Sequence, residues 1–205
     1  MLKDKLRDPI SGLTHLAGAV LSLLGLIYLL YLGWGDRGSV ISLLVYGTSL
    51  IAMFTASATY HMTISSPKVI EILRKIDHSA IFLLIAGTYT PFCVNAFRGF
   101  WQWGLLAIVW GLAIIGIVVK VFVISAPRWL NAGVYLLMGW LVIAAAGEML
   151  NTLPPGTLTW LLIGGLVYTF GAVIYMTKKL DFKPNVFGFH EVWHVFVMLA
   201  AAAHY

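Results

Sequence analysis

Apolar runs of bilayer-spanning length follow one another along this chain, and nothing else limits its fold as severely. Seven can be drawn, at about Leu13–Gly33, Ser39–Tyr60, Ser79–Ala96, Trp101–Val119, Trp129–Gly147, Thr157–Thr177 and Phe187–Tyr205, with Glu191 the one formal charge inside any of them. Each is close to the roughly 20 residues a helix needs to cross the hydrocarbon core. Composition agrees, because 60% of residues are hydrophobic and 10% are charged, whereas soluble domains carry about a quarter charged residues. The connections are short and rich in helix breakers, as in GWGDRG, SSPK, SAPR, NTLPPGT and DFKPN, so no linker separates two domains. The expectation is an all-α membrane protein, one seven-helix bundle over residues 1–205. The first run is too long for a signal-peptide core and is expected to be a retained helix. The single Cys93 excludes an internal disulfide and argues against a thiolate metal site.

The distribution of positive charge predicts an orientation. Of 13 basic residues, eleven lie on one side of the expected spans: Lys3, Lys5, Arg7, Lys68, Arg74, Lys75, Lys120, Arg128, Lys178, Lys179 and Lys183. Only Arg37 and Arg98 fall on the other. That bias predicts a cytoplasmic N-terminus and, with seven spans, a C-terminus outside, in the plasma (inner) membrane. Basic residues that alternate loop by loop do not form the continuous stripe of a nucleic-acid binder, so nucleic acid is excluded as a partner and membrane lipids are expected instead.

With the orientation set, five of the six histidines share one membrane depth. His61 closes the second span, His78 opens the third beside Asp77, His190 and His194 open the seventh, and His15 lies near the start of the first. His204 is 14 residues beyond His190, about 21 Å along a helix, and belongs to the opposite leaflet. His190 and His194 stand one turn apart on one helix face and can aim both imidazoles at one ion. Ionisable groups in membrane helices are costly and are retained when they pair or act. We therefore expect a metal site at His61, His190 and His194, with zinc favoured by three imidazoles and no thiolate.

These residues also carry a resemblance. Ser57-Ala-Thr-Tyr-His61, then Lys75-Ile-Asp77-His78-Ser79-Ala80-Ile81 leading to Gly87-Thr88-Tyr89-Thr90-Pro91, then His190-x-x-x-His194, together resemble the hemolysin III branch of the progestin and adipoQ receptor family, related to adiponectin receptors and alkaline ceramidases. The resemblance covers nearly the whole chain. It implies a seven-helix bundle with His61, His190 and His194 as zinc ligands and with Asp77 and Ser57 beside the metal. No family position gives His15 or His78 a metal role, so both are expected to support the site or the fold. In that family Glu191 is not a base, which makes the His-Glu-x-x-His spacing a coincidence. An intramembrane protease would also need a third, carboxylate ligand, and the nearest segment, Leu180-Asp181-Phe182, lacks the expected glycine.

Three functions remain open at this point. The first is zinc-dependent hydrolysis of a lipid amide or ester, ceramidase-like and serving membrane lipid homeostasis, with Asp77 as base or orienting the water and Ser57 as a hydrogen-bond partner or oxyanion donor. The second is a non-enzymatic, zinc-stabilised membrane sensor or regulator. The third, membrane lysis, is disfavoured by uniformly apolar spans without an amphipathic pore-lining repeat.

Overall fold

The computed structural model describes residues 5–122, 126–183 and 186–205, and every helix in it is built from an apolar stretch bounded by a breaker. Lys3 and parts of the SAPR and DFKPN connections lie outside those residues. The helices are α1 (Pro9–Leu32), α2 (Arg37–Met62), α3 (Pro67–Asn95), α4 (Gly99–Phe122), α5 (Arg128–Trp140), α6 (Ala146–Thr152), α7 (Pro155–Thr177) and α8 (Phe189–His204). A 3₁₀ segment, Leu141–Ala145, joins α5 to α6, so the described residues form seven rods. Proline opens α1, α3 and α7 at the first turn, where its missing N–H costs nothing. Asp36 caps α2 by accepting the Ser39 N–H at 2.7 Å.

Five rods are long and apolar enough to cross a membrane: α1, α2, α4, Arg128–Thr152 and α7. The other two fall short for different reasons. Helix α3 carries Lys68, Glu71, Arg74, Lys75 and Asp77 ahead of the apolar run that starts at Ser79, and Thr88, Tyr89, Thr90, Pro91 and Asn95 lower the hydropathy of that run. Helix α8 is only 16 residues long. The exterior of the rods is apolar, with Leu21, Leu24, Ile114, Ile115 and Leu137 more than half exposed. Small polar residues are buried instead: Ser11, Ser22, Ser42, Ser49 and Ser57. This inside-out pattern suits lipid as the surrounding solvent, because intrahelical bonds such as Ser22 Oγ–H to the Gly18 carbonyl (2.7 Å) satisfy the hydroxyls.

Rods α1 to α4 pack in sequence, α5 packs on α7, α7 on α8, and α8 closes back onto α1. Two close approaches need glycine. A Cβ on Gly18 would stand 2.8 Å from the Phe54 ring between α1 and α2, and one on Gly171 would stand 2.6 Å from Phe196 Cβ between α7 and α8. The irregular α5 rod is held by Tyr89 of α3, whose hydroxyl donates to the Gly139 carbonyl (2.8 Å) and accepts the Val142 N–H (2.8 Å). The backbone groups released by the switch to 3₁₀ geometry thus find a partner inside the bundle.

Candidate metal centre

His61 occupies the last turn of α2, and His190 and His194 the first two turns of α8. Placing α8 against α1 and α2 brings their ring nitrogens together. His190 Nε2 lies 3.3 Å from His61 Nε2 and 3.2 Å from His194 Nε2, and the candidate ligand atoms of all three lie within 4.8 Å of one another. Two nitrogens bound at the 2.0–2.1 Å usual for zinc, at a tetrahedral angle, stand about 3.3 Å apart. The two separations to His190 therefore match a small divalent cation, and the His61 and His194 rings need only close in from within 4.8 Å for all three to share it. His61 and His194 are buried, each 3% exposed.

The protonation of His61 follows from its other neighbour. Its Nδ1 lies 3.0 Å from Asp8 Oδ2, and an ionised carboxylate can only accept, so a proton sits on Nδ1 and, in the neutral imidazole, the lone pair on Nε2 faces the cluster. Arg7 Nε donates to the same Oδ2 at 3.1 Å, and the Arg7 guanidinium lies over the Tyr60 ring, 4.0 Å from its centroid. The bond from His61, assisted by Arg7, holds the Asp8 carboxyl below the usual carboxylate range against the opposing effect of burial. Sequence reasoning missed Asp8. The Asp8-Pro9 pair marks only a helix start, and nothing in the pattern links it to a residue 53 positions away.

Asp77 and Ser57 are both buried and line the same cavity as the three histidines. Ser57 stands one turn before His61 on α2. Asp77 is not part of the convergent ligand cluster. His15 is buried, stacks on the His194 ring at 3.8 Å and lines the cavity, with no hydrogen-bond partner on either ring nitrogen among the described residues. His78 also lines the cavity. Glu191 is committed elsewhere, as its oxygens accept the Gly188 N–H (2.8 Å) and the Ser11 hydroxyl (3.0 Å). It fastens the start of α8 to α1, which explains its place in the His-Glu-x-x-His spacing without catalysis.

The cavity measures about 450 Å³ and runs from this cluster along the bundle to His204, with a wall that is apolar apart from the cluster end and a few scattered hydroxyls and amides. His204 stands at the far end, Nε2 donating to the Leu161 carbonyl at 3.2 Å, and takes no part in the cluster. Buried polar groups at one end of an apolar cavity can position the head of an amphiphile while its chain occupies the remainder.

Comparison with known proteins agrees with the motifs. A family model described as haemolysin-III related matches residues 4–205. The chain is 37% identical to the hemolysin-3 homolog of Bacillus subtilis (strain 168), over 94% of this chain and 88% of that protein. It is 39% identical to hemolysin-3 of Bacillus cereus, over 94% and 85%. A more distant relative is the adiponectin receptor protein of Drosophila melanogaster, 27% identical over 77% of this chain and 39% of that protein, consistent with the progestin and adipoQ receptor group. With its convergent imidazoles and these matches over nearly its whole length, the chain belongs to the haemolysin-III-related family of membrane proteins.

Proposed function

We propose that this protein is a seven-span zinc hydrolase that cleaves a lipid amide or ester at a site near the cytoplasmic face of the plasma membrane. The observation that carries the reading is the pair of Nε2 separations, 3.2 and 3.3 Å, at the polar end of an apolar cavity. His61, His190 and His194 are the residues that would hold the metal. Zinc there would polarise a substrate carbonyl and bring the pKa of a bound water toward about 7. The absence of Asp77 from the convergent cluster supports a role as base and not as a fourth ligand.

In this scheme Asp77 accepts a proton from the attacking water as the water oxygen bonds to the acyl carbon. The bond from that carbon to nitrogen or oxygen then breaks, and the proton passes to the departing amine or alcohol. Ser57 holds the Asp77 carboxylate in the orientation this transfer needs. The apolar wall excludes bulk water and receives the acyl chain. The positive-inside bias supports a cytoplasmic N-terminus and an external C-terminus.

The test is to incubate purified, zinc-loaded protein in bilayers with mixed lipid amides and esters and to measure released fatty acid and amine. Release that disappears on chelation and returns with zinc is the expected result. No release from any class would overturn the hydrolase and leave a zinc-stabilised regulator. The name hemolysin-3 borne by a relative raises lysis as a competing activity, and dye leakage from liposomes insensitive to zinc removal would favour it.

A further inference from the structure

Asp8 occupies the N-cap position of α1, yet its side chain makes no capping bond. Aspartate at this position ordinarily accepts an N–H from the first turn. Here the carboxylate turns away from its own helix toward His61 Nδ1 at 3.0 Å. A second bond runs between the same residues, from the Asp8 backbone N–H to the His61 carbonyl at 2.8 Å. The segment ahead of α1 therefore grips His61 at both its main chain and its ring. The ion pair with Arg7 does not explain the arrangement, because the Asp8 side chain is 41% exposed and exposed pairs contribute little.

We propose that Asp8 is a positioning residue for the metal centre. It fixes the His61 tautomer that leaves the lone pair on Nε2 and prevents the ring from turning that lone pair away from His190 and His194. A ligating histidine commonly gives its second N–H to such a carboxylate, which orients the ring and raises its basicity. Helix α1 supplies no ligand, but through Asp8 it places the α2 half of the site. Through the Ser11 hydroxyl on Glu191 it also holds the start of α8. The inference rests on the metal reading of the three histidines.

The experiment measures zinc affinity of the full-length protein in detergent by competition with a fluorescent chelator, for wild type, Asp8→Ala and Asp8→Asn, alongside the melting temperature of each metal-free form. Asp8→Ala is expected to weaken zinc binding roughly 10–100-fold with little change in the metal-free melting temperature, since the main-chain bond to His61 persists. Asp8→Asn keeps an acceptor oxygen but loses the charge, and should fall between the two. Affinity equal to wild type in both variants, or in Asp8→Asn if Asp8→Ala does not fold, overturns the proposal. A lower metal-free melting temperature with unchanged affinity also overturns it, leaving Asp8 as a strap. Failure of the wild type to bind any divalent ion overturns the metal reading itself, a result distinct from a defect confined to the variants.

Discussion

The two ends of the cavity both present histidine and treat it in opposite ways. At the far end His204 gives its Nε2–H to the Leu161 carbonyl at 3.2 Å and packs against Tyr168 at 5.7 Å. Its polar requirement is met by the neighbouring helix. At the near end the Nε2 atom of His190 stands 3.3 and 3.2 Å from those of His61 and His194, and the His61 Nδ1–H is directed away from them to Asp8. Three neutral imidazoles whose lone pairs converge would repel one another unless a proton or a cation lies between them, so this cluster marks a place where a cation can bind. Histidine in a membrane helix is a weak sign of metal, and three imidazole nitrogens converging from two helices are a stronger one.

Removing a ligand should break this contrast most forcefully. In His61→Ala, His190→Ala or His194→Ala, zinc content of the purified protein is expected to fall well below one per chain. At a thousandfold excess of free zinc over Kd, wild type gains about 4 kcal/mol from the metal. The variants should lose most of that gain, read as a lower melting temperature in zinc. Full occupancy in His61→Ala would remove α2 from the site.

Asp77→Asn sharpens the contrast between holding the metal and using it. The amide keeps the shape but takes no proton, so zinc should stay bound while hydrolysis falls by roughly 10²–10⁴-fold. Zinc loss in this variant, by metal analysis, would make Asp77 a ligand of a closed site and end the hydrolase reading. Ser57→Ala should have a smaller effect, roughly tenfold in turnover, if the hydroxyl orients Asp77 as proposed. Its zinc content should not change.

The smallest effect belongs to the far end. His204→Ala deletes one hydrogen bond to a carbonyl and should cost about 1 kcal/mol, measured by denaturation. Zinc affinity should match wild type, and a loss of metal would mean that the two ends are not independent.

Much of this was legible in the chain. The distance between His190 and His204 follows from the rise of one helix, and the structure keeps them apart as expected. Ser57 and His61 share a face of α2 for the same reason. The extension of α3 back to Pro67 was hidden because charged residues interrupt the apolar pattern there, although helix geometry tolerates them at a membrane edge. The 3₁₀ segment Leu141–Ala145 was also invisible, since its backbone is met by the Tyr89 hydroxyl from another helix.

By itself the sequence determined what depends on neighbours along one chain segment: which stretches are helical, which are apolar, and which histidines share a helix face. Local periodicity encodes these properties, and they hold whatever the helices pack against. Tertiary structure alone decided that Asp8 reaches His61 and that Ser11 and Glu191, 180 positions apart, tie α1 to α8. It also set His15 against His194. Such contacts depend on the close approach of α1, α2 and α8, where a missing side chain at Gly18 admits Phe54. No spacing within a single helix records which distant residue will lie opposite.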